Sequence, residues 1–331
     1  MSELHKFLFD GLPVRGMVVR LTDAWQDMLQ RRASNTETGA YPAPVRELLG
    51  EMAAAAVLLQ SNIKFNGALV LQIFGDGPVK VAVAEVHSNL ALRATASVQG
   101  AVDAGATLAD LVNVHGQGRC AITLDPQDRL PGQQPYQGVV ALNHAQGSGS
   151  LNSLSQVLQQ YMRQSEQLDA TLVLAANDTV AAGLLIQRMP LKGVDNLAGA
   201  TESAADVHDA LGENEDYQRI ATLAASLTRD ELLSLDVDTI LRRLFWEEKL
   251  LRFVPQDGDQ GPHFACTCSR ERVQTMLRGL GQEEVDSVVA ERGSVEVGCD
   301  YCGTQYRFDI VDAGQLFADA PSQAPGSSSM Q

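Results

Sequence analysis

The sequence predicts an α+β protein with an N-terminal mixed sheet-and-helix domain, an acidic helical linker and a small four-cysteine domain near the C-terminus. Three observations predict this organisation. Strand-like and helix-like runs intermingle in residues 1–190 without a regular βαβ alternation, acidic residues crowd the next segment, and four of the five cysteines lie within 37 positions. The predicted bounds are 1–190 for the core domain, 191–250 for the linker, 251–317 for the cysteine domain and 318–331 for a disordered tail.

Composition limits the classes of partner. The 331-residue chain carries 41 Asp and Glu against 25 Lys and Arg, a formal net charge of −16. Binding to nucleic acid depends on Lys and Arg that displace counterions from phosphates, so we expect no nucleic-acid partner. The N-terminus lacks the apolar core of a secretory signal, and no run nears the roughly 18 apolar residues that span a bilayer, so we expect a cytoplasmic protein with no membrane partner. Thiols stay reduced in the cytoplasm, where clustered cysteines indicate metal or redox chemistry.

The N-terminal domain combines runs of period two with runs of helical period. A helix over Val45–Ser61 follows two prolines, and its apolar residues recur at helical spacing. Gly75, Gly77 and Pro78 separate two strands in the manner of a hairpin. A second helix is predicted over Leu151–Gln164, and strands are predicted over Val14–Leu21, Ala68–Phe74, Val79–Val83, Arg119–Leu124, Gly138–Leu142, Thr171–Ala176 and Val180–Ile186.

The linker is both acidic and periodic. Between Asp195 and Asp238, eleven acidic residues stand against two arginines, and Thr228 and Glu231 have the spacing of a capping box. The pattern fits amphipathic helices that connect two domains. It also describes a marginally stable region whose like charges oppose compaction and whose apolar stripes can be uncovered. The stripes are Tyr217, Ile220, Ala221, Ala224 and Leu227, followed by Val237, Ile240, Leu241, Leu244 and Phe245.

The C-terminal domain centres on two cysteine pairs separated by thirty residues. Two short helices are predicted between the pairs, and alternating residues on either side of the Cys299–Gly303 turn predict a hairpin with a metal knuckle at its tip. Zinc takes four tetrahedral ligands, which two short cysteine pairs can supply when the fold brings them together. We therefore predict one zinc ion bound by Cys266, Cys268, Cys299 and Cys302, with unliganded thiols or another thiophilic metal as alternatives.

Four thiolates fill the coordination shell of zinc and leave no open position for a hydroxide or a substrate. This argues against a zinc hydrolase, and we expect no catalytic residue and no enzyme. His263 could replace a cysteine as a ligand, but the favoured interpretation is a surface group or one just outside the metal ligands. Arg270 and Arg272 either offset the negative charge of the site or are ordinary solvated arginines. Cys120, alone in a predicted strand, is expected to be a small buried hydrophobe.

Longer blocks of sequence surround these features. Those near the cysteines are Arg243-Leu-Phe-Trp-Glu-Glu, Cys266-Thr-Cys268-Ser-Arg-Glu-Arg, Cys299-Asp-Tyr-Cys302 and Tyr306-Arg-Phe-Asp. Those in the first domain are Gly50-Glu-Met-Ala-Ala-Ala, Ile63-Lys-Phe, Tyr136-Gln-Gly-Val-Val-Ala-Leu and Ser165-Glu-Gln-Leu. On these blocks, which run in order over nearly the whole chain, the sequence resembles the heat shock protein 33 family of redox-regulated bacterial holdase chaperones.

The resemblance implies an ATP-independent chaperone that is zinc-bound and inactive when reduced. Oxidation by peroxide or hypochlorous acid would form the disulfides Cys266–Cys268 and Cys299–Cys302, release the zinc and unfold the acidic linker. The oxidised protein would dimerise and hold unfolded or aggregation-prone client proteins. The spacing alone indicates that losing zinc removes the link between the two pairs, whether as a switch or as an accident of spacing, and the resemblance favours the switch.

Two other functions remain as hypotheses. A thiol–disulfide oxidoreductase could use Cys299 and Cys302, although such pairs usually begin a helix in a βαβ context, and here Gly303 and a predicted strand follow. A constitutive zinc-dependent adaptor would bind a partner protein and keep its metal under oxidation.

Overall fold

The computed structural model describes residues 1–35, 39–128, 132–143, 151–189 and 204–318, with the side chains of 204–214 excepted. The chain divides into two compact units, Met1–Ala265 and Cys266–Gln331. Beyond Ala318, the predicted tail lies outside the described residues, and so does the part of the predicted linker up to residue 203.

The strands form two large sheets in the first unit and one hairpin in the second. Sheet A has the order β10-β1-β2-β9-β8 and sheet B the order β11-β5-β4-β3-β6-β7, while β12 pairs with β13. All neighbouring strands are antiparallel except β11 and β5. The strands are β1 (Glu3–Phe9), β2 (Val14–Leu21), β3 (Gly67–Phe74), β4 (Val79–His87), β5 (Ala91–Val98), β6 (Arg119–Pro126), β7 (Tyr136–Ala141), β8 (Ala170–Ala176), β9 (Ala181–Arg188), β10 (Leu250–Arg252), β11 (His263–Phe264), β12 (Ser294–Gly298) and β13 (Gln305–Asp309).

Helices occur in both units. In the first unit they are α1 (Asp23–Ala33), α2 (Ala43–Asn62), α3 (Leu108–Val112), α4 (Leu154–Ser165), α5 (Ala204–Ala225), α6 (Arg229–Ser234) and α7 (Val237–Phe245). In the second unit they are α8 (Arg270–Leu280), α9 (Gln282–Arg292) and α10 (Ile310–Ala318).

The α+β class predicted from the sequence is confirmed, and β2 coincides with the predicted strand Val14–Leu21. The sequence prediction omitted β1, β5, β10, β11, α1, α3 and α10. The predicted start of the second helix at Leu151 was wrong, because Ser153 is the N-cap: its hydroxyl accepts a hydrogen bond from the amide of Gln156, at 3.3 Å. The capping box of Thr228 and Glu231 is confirmed at the start of α6.

Helix α2 is the centre of the first unit because it packs between the two sheets. Its residues are buried almost all the way round, including the four consecutive alanines Ala53–Ala56. These small side chains let the backbone approach both sheets closely. Gly50 serves the same purpose, since a Cβ there would lie 2.4 Å from the Cβ of Ala176 in β8. This core therefore depends on close approach rather than on large aromatic side chains.

The acidic segment, which comprises α5, α6 and α7, covers the face of sheet A opposite α2. Strand β2 alternates between the two faces, so that Met17 and Val19 join the α2 core while Val14 and Val18 join the core beneath the segment. Phe245 of α7 packs edge to face on Phe9 of β1, with ring centroids 5.1 Å apart. The buried residues that the segment contributes are Tyr217, Ile220, Ala224, Leu227, Leu232, Val237, Ile240, Leu241, Leu244 and Phe245.

Two arginines add polar contacts to this apolar packing. Arg20 of β2 donates to the carbonyl oxygens of Leu232, Leu233 and Leu235 at the end of α6, at 2.9, 3.1 and 2.9 Å. These carbonyls carry the negative end of the helix dipole, so a cation is favoured there. Arg229 of α6 pairs with two glutamates of α2 and donates to the carbonyl of Ala176. Both arginines therefore join the acidic segment to the rest of the first unit.

Glu51 of α2 is the more buried glutamate beside Arg229. The Arg229 guanidinium lies 3.6 Å from its carboxylate and 2.9 Å from that of Glu47. Burial raises the pKa of Glu51 to about 7, despite the attraction of Arg229, and repulsion from Glu47 adds to the rise. Between about pH 4.5 and pH 7, the Glu51 side chain is therefore protonated in the folded chain and ionised in the unfolded chain.

Glu51→Gln, which imitates the protonated side chain, should stabilise the first unit at alkaline pH. A raised folded-state pKa gives stability that is complete below pH 4.5 and is lost as the pH rises through about 7. The side chain keeps 19% of its surface exposed, so we expect a gain in the free energy of unfolding of only about 1–2 kcal/mol at pH 8, shrinking towards pH 5. Urea unfolding followed by Trp25 fluorescence measures it.

The matched control is Glu215→Gln, at an exposed position of α5, which should change stability little at either pH. A Glu51→Gln protein whose difference from wild type is the same at pH 5 and pH 8 would contradict the assignment.

Candidate metal centre

The second unit has a small apolar core. Helices α8, α9 and α10 and the hairpin of β12 and β13 enclose it. A unit of this size buries too little apolar surface to be stable by packing alone, and such units commonly depend on a metal or a disulfide. The buried core residues are Leu277, Val285, Val289, Val295, Phe308, Ala313 and Leu316.

The second cysteine pair lies at the tip of the hairpin, as the sequence predicted. The amide of Cys299 donates to the carbonyl of Thr304 at 2.9 Å, and the amide of Gly303 donates to the carbonyl of Cys299 at 2.8 Å. Gly303 has φ of 73°, in the left-handed region that glycine adopts without a steric cost. This tight turn brings the side chains of Cys299 and Cys302 to the same place.

The first pair lies just before α8. Ser269 is the N-cap of this helix, its hydroxyl accepting a hydrogen bond from the amide of Arg272 at 3.3 Å. Cys268 is therefore held next to a fixed helix start, with Cys266 two residues earlier in the segment that enters the unit.

The fold brings all four cysteines into one cluster. Their sulfur atoms lie within 4.8 Å of one another, with Cys266 Sγ 3.7 Å from Cys299 Sγ and Cys268 Sγ 3.4 Å from Cys302 Sγ. Four sulfurs bound at about 2.3 Å to one tetrahedral zinc ion would lie roughly 3.8 Å apart. All four side chains are partly buried. The cluster is therefore positioned to hold one metal ion, and its soft donors suit a thiophilic one.

Neighbouring groups shift the pKa values of Cys299 and Cys302 in opposite directions. Burial raises the pKa of Cys299 to about 12. Burial would also raise the pKa of Cys302, but its hydrogen bonds with the side chain and the backbone of Thr304 outweigh burial and lower this pKa to about 7. The hydroxyl of Tyr306 donates to Cys268 Sγ at 3.1 Å. Since bound thiols must lose their protons, a metal entering this cluster has to displace several of them.

Both candidate arginines have partners of their own. Arg270 pairs with Asp312 at 2.8 Å and lies over the ring of Phe308, 4.2 Å from its centroid. Arg272 donates to the hydroxyl of Thr267 at 2.7 Å. These contacts account for both side chains as parts of the fold and favour neither as a counter-charge to the sulfurs.

Two further sequence candidates lie in the first unit. His263 belongs to β11, where its Nδ1 donates to the carbonyl of Gly261 at 3.0 Å, and it is not a member of the cysteine cluster. Cys120 of β6 is completely buried, and burial raises the pKa of its thiol to about 12. The expectation of a small buried hydrophobe at Cys120 is confirmed.

Sequence reasoning did not identify Tyr306 and Thr304 as neighbours of the sulfurs. Alternation in the sequence indicated only that Tyr306 lies in a strand of the predicted hairpin. The available signal was their position, since both follow the second cysteine pair within a few residues and so lie near the hairpin tip.

None of the helices in the described part of the chain combines the length and the apolar character needed to cross a membrane.

Comparison with known proteins identifies the family. A sequence model of the Hsp33 protein family matches residues 2–309. The 33 kDa chaperonin of Chromobacterium violaceum is 44% identical over 316 residues, which are 96% of this chain and 94% of that protein. The 33 kDa chaperonin of Methylobacillus flagellatus is 40% identical over 317 residues, with the same shares covered.

A solved structure has the same fold. The crystal structure of the 33 kDa chaperonin (heat shock protein 33 homolog) of Thermotoga maritima matches with a TM-score of 0.71, over 96% of this chain and 98% of that one. Its sequence identity of 20% makes this a likeness of fold. With a family match over nearly the whole length and relatives above 30% identity, the chain belongs to the Hsp33 family.

Proposed function

We propose that this protein is a redox-regulated, ATP-independent holdase chaperone of the cytoplasm and not an enzyme. The observation that carries the proposal is the cluster of four sulfurs within 4.8 Å in a chain of the Hsp33 family. In this proposal residues 1–190 form the core, 191–250 the releasable linker and 251–317 the sensor. Reduced protein is inactive, and oxidised protein forms a homodimer that binds unfolding proteins and prevents their aggregation.

The proposed sensor is a single zinc ion bound by Cys266, Cys268, Cys299 and Cys302. Zinc, when bound, would keep the four thiolates deprotonated and link the segment before α8 to the hairpin tip. The sulfur separations support four-coordinate binding, and a filled shell leaves no position for substrate.

Oxidation would replace the zinc link between the two cysteine pairs with one disulfide within each pair. Two thiolates give two electrons to one peroxide molecule, whose oxygen–oxygen bond breaks to form two waters after uptake of two protons. We propose the pairs Cys266–Cys268 and Cys299–Cys302. Each closes a loop of only a few residues, which stabilises the fold little, and neither joins residue 266 to residue 299. The cross-link between the two segments is then lost.

The proposed output is release of the acidic segment from sheet A. In the part of the segment whose side chains the structure describes, ten buried residues cover apolar residues of the sheet, so release of the segment would expose two complementary apolar surfaces. Such surfaces suit partly unfolded proteins, which expose apolar side chains of their own. The acidic charge of the segment opposes its compaction and would help to keep it apart once released.

The alternatives have less support. An oxidoreductase would require the second pair at a helix start, and here the pair lies in a hairpin turn followed by β13. A constitutive zinc adaptor shares the metal site but predicts that peroxide leaves the metal in place.

Purified reduced protein should contain about one zinc per chain, as the four-thiolate site requires. Peroxide should release that zinc, measured colorimetrically, together with a loss of helical circular dichroism. Suppression of citrate synthase aggregation should appear only after oxidation.

Cys120→Ala should behave as wild type because the buried thiol takes no part, whereas Cys299→Ala should bind zinc weakly. Equal suppression in the reduced and oxidised states would defeat the proposal.

Arg20→Met should loosen the acidic segment in the reduced protein. The change removes three hydrogen bonds to the end of α6 while keeping an apolar stem, so amides of α6 and α7 should exchange with solvent about tenfold faster or more. Aggregation suppression should then begin at a lower peroxide dose.

Arg242→Met is the matched control, since this arginine is exposed on α7, and it should leave exchange unchanged. If Arg20→Met left the exchange of both helices as in wild type, the contacts of Arg20 would have no part in holding the segment.

A further inference from the structure

Tyr306 is placed to affect one of the four sulfurs. It lies in β13 opposite Val297 of β12, and its ring packs against the apolar core of the second unit. Its hydroxyl donates to Cys268 Sγ at 3.1 Å. Ring packing and strand pairing both position this side chain, so that its hydroxyl lies at the sulfur.

The contact differs in kind from the other polar contacts of the cluster. Apart from the other cysteines, the groups that approach Cys299 and Cys302 are backbone amides of the hairpin turn and Thr304, all within five positions of the sulfur that they reach. Tyr306 reaches a cysteine 38 positions away, in the segment before α8. It therefore joins the strand that follows the second pair to a sulfur of the first pair.

A hydrogen bond to a thiolate lowers its reactivity. The donated proton stabilises the sulfur lone pair that must attack an electrophile, and this stabilisation is lost as the charge moves away in the transition state. Hydrogen bonds to metal ligands also orient them and affect metal affinity. A tyrosine hydroxyl keeps its proton at neutral pH, so it donates throughout the physiological range.

We propose that Tyr306 is a positioning residue that restrains Cys268 and so sets how readily the first cysteine pair is oxidised. This inference rests on the proposed redox function. It assigns the regulation of the site to a side chain that is neither a cysteine nor a metal ligand.

The step that Tyr306 slows can be written in full. The thiolate sulfur of Cys268 attacks one peroxide oxygen, the oxygen–oxygen bond breaks, and hydroxide leaves and takes up a proton to form water. The sulfenic acid on Cys268 is then attacked by the thiolate of Cys266. The sulfur–oxygen bond breaks, the disulfide forms, and hydroxide leaves and takes up a second proton to form water. Two electrons pass from the two sulfurs to one peroxide.

The test is Tyr306→Phe in the full chain, which keeps the ring and removes only the donor. Alkylation of the zinc-loaded, reduced protein by limiting iodoacetamide, read at each cysteine by mass spectrometry, reports nucleophilicity without an oxidant. Cys268 should react about three- to tenfold faster than in wild type. Zinc release at low peroxide should speed up by a similar factor. Cys299 and Cys302 should keep their initial alkylation rates.

Thr304→Val is the matched comparison, because it removes a hydroxyl beside Cys302 and should leave Cys268 unchanged. If Tyr306 only supported the fold, all four cysteines of its variant would react faster together instead of Cys268 alone, which would overturn the inference. A slower reaction at Cys268 would also overturn it, because the hydroxyl would then assist oxidation.

The iodoacetamide and peroxide results separate this inference from the proposed function. If peroxide released no zinc from wild type, the redox function would fail, while faster alkylation of Cys268 in the variant would still establish the restraint. If wild type released zinc and the variant matched it in both assays, only the role of Tyr306 would be wrong.

Discussion

The second unit depends on four sulfur atoms lying within 4.8 Å of one another. Two come from the segment before α8 and two from a turn made possible by Gly303, so the cluster closes a loop of more than thirty residues. Among the residues of this unit that the structure describes, seven apolar side chains form the buried core, few for three helices and a hairpin. We therefore expect the fold of the unit to depend on what joins or separates these sulfurs.

In the acidic segment of the first unit, apolar packing is opposed by repulsion between negative charges. Apolar stripes on α5, α6 and α7 bury well against sheet A, and Arg20 and Arg229 add contacts to carbonyls and carboxylates. Opposing these is a concentration of negative charge that folding brings closer together. A segment that is well packed and also electrostatically strained can be ordered in one state of the protein and leave in another. The helical-connector and releasable-region interpretations are thus compatible descriptions.

The sequence could predict features that depend on local spacing. The hairpin around Cys299 and Cys302, the capping box at Thr228 and the helical stripes all follow from residues close together in the chain. The clustering of the four cysteines was predictable because few arrangements other than a shared metal site use two such pairs. Features set by long-range packing were not. Arg20 reaches carbonyls more than 200 positions away, and no local pattern marks such a contact.

Long-range packing also determined helices and strands that the sequence prediction omitted. Strand β1 contains His5 and Lys6 among its apolar residues, so its alternation is weak, yet both neighbours in sheet A supply pairing for it. In α10, the exposed Ile310 and Val311 hide the helical period, and only the packing of Leu316 shows which face is inward. For Tyr306, the strand was predictable from local alternation, but the contact of its hydroxyl with Cys268 was not, because that contact spans 38 positions.

The burial of Cys120 separates the thiols of this protein into two chemical populations. A completely enclosed thiol with a pKa near 12 is almost never ionised and cannot be approached by another sulfur while sheet B is intact. If the cluster cysteines pass between thiol and disulfide forms as proposed, an accessible fifth sulfur would be a site of mispairing. Because Cys120 is enclosed in sheet B, it is kept out of such pairing for as long as this sheet stays folded.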